Sequence, residues 1–259
     1  MSYRAIPFLV LAIPSTAVAQ HHHGAGDAGA AEPTLRLQMS AVAARLDAGS
    51  GPGGYGGVLL GGRYQRGRLT FGAVTALWNV WQDGRTRMGS GDSAVDVEVT
   101  AVERTGEHVQ LAGGVAAMLM LPTAGGSGLG MGHSMAMGGS WLTVAGHDWS
   151  AIGALSYAIA LEDSAFEHAH HGDDLIDPSN ASELALNARL SRRITGPWHG
   201  HLGGRAAAPI AIDHGVWRGV AGAGVRRSGR RWDVGARAEV AIGGEPWTVR
   251  SMLDVARSF

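Results

Sequence analysis

From residue 34 to the end, the chain divides into segments of about a dozen residues that alternate apolar and polar side chains. This two-residue period puts successive side chains on opposite faces of an extended strand. In "AVDVEVTA", Val95, Val97 and Val99 alternate with Asp96, Glu98 and Thr100. In "RWDVGARAEVAI", Trp232, Val234, Ala236, Ala238, Val240 and Ile242 share one face, opposite Asp233, Gly235, Arg237 and Glu239. In "ELALNARLSRR", Leu184, Leu186, Ala188 and Leu190 oppose Asn187, Arg189 and Ser191. The 41 glycines, many inside apolar stretches, argue against helices, where an interior Gly costs about 1 kcal/mol relative to Ala.

The pattern predicts twelve strands, over 34–47, 54–65, 68–81, 93–104, 107–121, 131–145, 149–161, 183–194, 198–211, 215–227, 230–242 and 247–259. Alternation alone fits a soluble sandwich as well as a membrane barrel. The connections favour the barrel. "QRGR", "RTGEH", "AGHD", "TGP" and "RSGR" are tight, whereas "DAGSGPGG", "QDGRTRMGSGD" and "LEDSAFEHAHHGDDLIDPSNAS" are long. Long loops at one end and short turns at the other characterise up-and-down transmembrane barrels. Trp149, Trp198 and Trp232 follow tight turns, and Trp78, Trp81, Trp217 and Trp247 sit beside the longer links, which predicts two interfacial bands. Trp141 falls nearer mid-strand.

The N-terminus "MSYRAIPFLVLAIPSTAVAQ" has a basic Arg4, a short apolar run and a small-x-small site at Ala17-Val18-Ala19. It reads as a secretory signal peptide over 1–19, with a buried first element as the alternative. A His-rich segment, 20–33, would precede the barrel at 34–259. The absence of cysteine in an exported chain means that stability comes from a core or a membrane. A formal net charge of −1 provides no basic field for nucleic acid, so none is expected as a partner.

The last strand, "MLDVARSF", places Leu253 and Val255 on one face and ends on Phe259. It resembles the terminal signal of bacterial outer-membrane β-barrel proteins, with Arg257 standing where an apolar residue is usual. The resemblance covers the whole mature chain and is architectural, with small transporter-like barrels nearest. It implies an all-β fold, a single closed antiparallel barrel of about twelve strands, in the outer membrane of a Gram-negative bacterium. Outer-membrane lipid and the barrel-assembly machinery would be its partners, and it would have no enzymatic activity.

Three segments carry metal-ligand chemistry. In "GLGMGHSMAMGG", Met131, His133, Met135 and Met137 recur at every second position, and an extended strand would align them on one face. Thioether and imidazole together suit copper, although Met is equally good apolar fill. "EHAHHGDD" carries His168, His170 and His171, either a ligand cluster or a solvated loop. The mature terminus would read Gln20-His21-His22-His23, where a free amine, two amides and His22 could wrap a square-planar ion unless Gln20 cyclises. The leading expectation is therefore a barrel that binds or passes a transition metal ion, copper in particular, with no cofactor otherwise required. The alternative is a metal-indifferent small-solute channel or structural barrel, its lumen lined by Arg36, Asp96, Glu98, Arg189, Asp233, Arg237, Glu239, Arg250 and Asp254. A lipid hydrolase is disfavoured: His133 and Ser134 would face opposite ways on a strand, and no GxSxG elbow occurs.

Overall fold

The computed structural model describes residues 33–46, 53–124, 129–130, 133–162, 181–210 and 215–259. Thirteen strands form one antiparallel sheet: β1 (Thr34–Leu46), β2 (Gly53–Arg66), β3 (Leu69–Gln82), β4 (Arg85–Ser90), β5 (Ser93–Thr105), β6 (Gln110–Leu121), β7 (Met135–Ala145), β8 (Trp149–Ala160), β9 (Ser182–Thr195), β10 (Trp198–Pro209), β11 (Arg218–Ser228), β12 (Trp232–Gly243) and β13 (Trp247–Ser258). β1 pairs with both β2 and β13, and β2 pairs with β3, so the sheet closes on itself. Closure pairs the twelve long strands on both sides and so removes the sheet edges that a lipid environment forbids, while the six-residue β4 pairs with β3 alone. The amide of Phe259 adds a final bond to the Leu35 carbonyl at 2.9 Å.

The six-residue β4 and the thirteen-residue β5 share one crossing. β4 pairs with the outer half of β3, Leu77 to Gln82, and β5 pairs with its inner half, Leu69 to Val74. Between them Gly91 donates to the Ala76 carbonyl at 2.9 Å, so β4 and β5 are one crossing broken by an irregularity at Gly91-Asp92. The barrel therefore has twelve crossings. This corrects the reading of "QDGRTRMGSGD" as a long loop. Asp83 and Gly84 both have positive φ, 50° and 72°, the signature of a two-residue type I′ hairpin. The Asp-Gly pair carries that signal in the sequence.

Outside, Leu77, Val115, Leu186, Leu202, Ile242 and Leu253 stand exposed, with Leu202 at 64%. A continuous apolar exterior on a closed barrel is a lipid-facing belt. Val95, Val97 and Val99 belong to that face, and Asp96 and Glu98 point inward, as the alternation predicts. Trp81, Trp149, Trp198, Trp217 and Trp232 are exposed near strand ends, as interfacial residues should be. Trp78 and Trp247 are not: at 2% and 1% exposure they lie inside the barrel. Trp78 sits three residues from Trp81, on the opposite strand face. Its ring lies over Gly57 of β2, where a Cβ would collide with it, and Tyr55 meets it edge-on at 5.7 Å. Trp247 is capped by the Arg250 guanidinium, 4.4 Å from the ring centroid.

Arg257 faces outward next to the C-terminus. Its guanidinium lies 5.1 Å from the Trp232 ring and 4.6 Å from that of Phe259. The charge that departs from the usual terminal pattern is thus sheltered by two aromatic faces near the membrane boundary.

Candidate functional site: the lumen

The inner surface has two kinds of wall. On β9 to β13 and β1, inward positions carry Glu183, Arg189, Arg205, Arg218, Arg226, Asp233, Arg237, Glu239, Arg250, Asp254 and Arg36. These charges join across strands. Asp233 bridges Arg36 and Arg226, each at 2.7 Å. Glu239 accepts from Arg250 at 2.7 Å and lies 3.7 Å from Arg237. Arg237 also meets the Met252 sulfur at 3.0 Å. Ser40 donates to Asp254 at 2.6 Å. Glu183 holds both Arg205 and Arg218, and all three are buried. In the β12–β13 connection Glu245 lies 4.0 Å from Arg218. Burial pushes the Glu245 carboxyl above its ordinary range, and the nearby arginines pull it back.

A second charged group sits on β2 and β5. Arg63 reaches over β3 to Asp96 at 3.2 Å and Glu98 at 3.0 Å. The bridge needs Gly72, which lies in register between Arg63 and Asp96. The Asp96 carboxylate occupies the space a Cβ at Gly72 would fill.

The wall made by β6, β7 and β8 is different. Its inward positions hold Ala112, Met118, Met120, Met135, Met137, Trp141, Thr143, Ala154, Ala158 and Ala160, and no charge. At the rim opposite the chain termini, a buried apolar cluster joins Leu46, Tyr55, Trp78, Val80 and Trp247 to Leu129 of the β6–β7 connection. That connection is tied down on both sides. Ala124 donates to Asp92 at 3.1 Å, and Ser134 donates to Glu162 at 2.8 Å. Leu129 therefore packs inside the mouth, in the rim cluster. A cavity of about 90 Å³ lies beneath, between the two walls, and is lined by Ile152, Ala154, Asn187, Arg189, His201, Arg205, Arg237 and Glu239 among others.

All nine lumen residues expected from the alternation face inward. Arg63, Glu183, Arg205, Arg218, Arg226 and His201 were missed. They lie on β2, β9, β10 and β11, and three of those strands are so rich in Gly that their two faces look alike in sequence.

The Met/His stretch is only partly a strand. β7 begins at Met135, so Met135 and Met137 face inward, but His133 lies in a bend before the strand. The expected line of four ligands on one face is therefore broken. Met131, the loop histidines His168, His170 and His171, and the terminal His21, His22 and His23 lie outside the described residues. Among the described residues no three His, Asp or Glu side chains gather as a ligand set.

No protein-family model and no curated protein matches the sequence. Solved structures do match. A COG4313 outer-membrane channel from Pseudomonas putida F1 superposes with a TM-score of 0.62 at 14% identity, over 92% of this chain and 98% of that one. The NanC porin gives 0.55 at 10% identity, over 86% and 98%. The KdgM porin, in complex with disordered oligogalacturonate, gives 0.51 at 7% identity, over 87% and 99%. The fold is that of bacterial outer-membrane channels. At these identities the likeness establishes the architecture, and the lumen chemistry must come from this chain's own residues.

Proposed function

We propose that the protein is an outer-membrane channel for small solutes, with a preference for anions. The carrying observation is the lumen: a closed, lipid-jacketed barrel whose inner face holds more arginines than carboxylates. Arg36, Arg63, Arg189, Arg205, Arg218, Arg226, Arg237 and Arg250 stand against Asp96, Glu98, Glu183, Asp233, Glu239 and Asp254 of the strands and Glu245 of the β12–β13 connection. Arg189 has no ion pair among the described residues and lines the cavity beside His201 and Arg237. Among the described residues its guanidinium is in direct contact with no carboxylate, Asp254 acting on it only from a distance and Arg226 and Arg237 standing near, so it can meet a carboxylate or phosphate on a passing solute. The oligogalacturonate named with the KdgM porin is an anion of this general kind.

Leu129 of the β6–β7 connection, buried in the rim cluster, supports a narrowed mouth. The terminal strand ending on Phe259 supports recognition by the barrel-assembly machinery. The work of such a protein is selective passage and involves no chemical step.

The purified barrel, reconstituted in planar bilayers, should give discrete conductance steps with a reversal potential displaced toward that of chloride. Arg189→Glu should move the reversal potential toward cations. A correctly folded, heat-modifiable barrel that gives no steps would make it a structural protein instead.

A further inference from the structure

The register of β6 and β7 brings together four methionines that the sequence separates into two motifs. Met118 lies directly opposite Met137, and Met120 directly opposite Met135. All four occupy inward positions at the rim end of the uncharged wall. Met135 is buried against Ala158, Ala160 and Ala181, and Met120 and Met137 pack on the same cluster.

The spacing suits one small ion. Opposite residues of an antiparallel pair have Cβ atoms about 5 Å apart, and residues two apart on one strand are about 7 Å apart. A methionine side chain has three rotatable bonds, so sulfurs rooted at the corners of such a rectangle can turn toward a shared centre. The lateral neighbours are the small Ala158 and Ala160 on β8 and, on β5, Ala94 and Asp96, the last turned to Arg63.

We propose that Met118, Met120, Met135 and Met137 form a soft-metal site in the lumen that takes a monovalent ion of the copper(I) or silver(I) class. Thioether sulfur selects such ions and binds hard cations poorly. The three strands of the wall carry no inward carboxylate, and the nearest one in register, Asp96 beside Met118, is paired with Arg63. The ligands are neutral and hold no proton, so the site works at pH values where histidines are charged. A thioether site that meets the lumen through the half-buried Met118, Met120 and Met137 also binds weakly enough to release its ion, as passage requires. The proposal is independent of the anion preference, because it rests on sulfur and on a different wall.

Silver(I) serves as the probe because it does not change oxidation state under the assay. Its binding to the full-length barrel in detergent is measured by calorimetry at pH 5, where histidines are mostly protonated and compete little. The parent should bind one silver ion. The double variants M118L/M137L and M120L/M135L keep apolar volume and should each lose at least the roughly tenfold affinity that a single supporting group costs in metal sites. M39L, which alters an outward-facing methionine of β1, should bind as the parent does. Heat-modifiable migration confirms that each variant is folded, and either double variant suffices if the other fails. Parent-like binding in a folded double variant, or no binding by the parent at pH 5, overturns the site.

Discussion

The charged wall of β9 to β13 and the uncharged wall of β6 to β8 obey the same two-residue alternation, face the same lumen and solve its packing in opposite ways. On the charged wall, Glu183 and Asp233 are each shared by guanidiniums from two other strands and Glu239 is held by Arg250 of β13, so the side chains act as cross-braces. On the uncharged wall, Trp141 packs with Ala112 and Ala154, and the methionines pack with alanines. Polarity of an inward position therefore does not set its structural role. What matters is whether a partner stands on an adjacent strand at the right level. Removing a polar group should hurt where partners exist and be harmless where they do not.

The largest effect should come from Glu183→Ala. Glu183 and Arg218 are each 1% exposed, and Arg205 is buried beside them. Truncating the acid leaves two buried cations with the more distant Glu245, 4.0 Å from Arg218, as counter-charge among the described residues, a change worth about 3–5 kcal/mol for a buried pair. Thermal unfolding should shift strongly down, or the barrel should fail to reach its heat-modifiable form. A parent-like melting temperature would mean that water reaches these arginines and that the wall is not braced there.

Asp233→Asn should cost less, about 1–3 kcal/mol, because Arg36 and Arg226 retain access to lumen water. It should also leave two guanidiniums uncompensated in the path and raise chloride selectivity in bilayer recordings. A loss of stability with no change in reversal potential would separate the brace from the conduction path.

How far these walls could be read in advance depended on composition. β5, β9 and β12 alternate large apolar with charged residues, so their faces and most of the charged lining were legible. β2, with "GGYGGVLLGG", and β11, with "GVAGAG", carry glycines on both faces, which hid Arg63, Arg218 and Arg226. The methionine quartet was half visible: Met135 and Met137 stood in a motif, but "AAMLML" on β6 acquires meaning only through strand register. Periodicity gives the face of a residue and says nothing of its height against the next strand. The tryptophan bands failed for a related reason. Distance from a loop places a residue along a strand, but parity decides whether it looks out, like Trp81, or in, like Trp78.

Gly72→Val tests the bridge between the two kinds of wall. Its backbone is ordinary strand, and Val is a good strand former, so local propensity alone predicts a small gain. The Asp96 carboxylate occupies the space of the new side chain. Arg63 would then lose Asp96, and keep Glu98 only if it shifted. A destabilisation of about 1–2 kcal/mol is expected, and Gly72→Val combined with Asp96→Ala should recover part of it. No recovery in the double variant would show that the glycine serves something other than that bridge.

The smallest effect, with the opposite sign, should come from Thr143→Val on the uncharged wall. Thr143 is 1% exposed, and its hydroxyl oxygen makes no hydrogen bond among the described residues. Valine has nearly the same shape, so no cavity or clash is created. Threonine in this position bears the cost of a buried hydroxyl without gaining a bond, and replacing it should be neutral or stabilising by up to about 1 kcal/mol. The same deletion of a single polar group costs several kcal/mol at Glu183 because two partners are left behind. A measured loss at Thr143→Val would mean that lumen water hydrogen-bonds this hydroxyl. The uncharged wall would then be wet at its middle, and the contrast would lie between paired and water-bound polar groups.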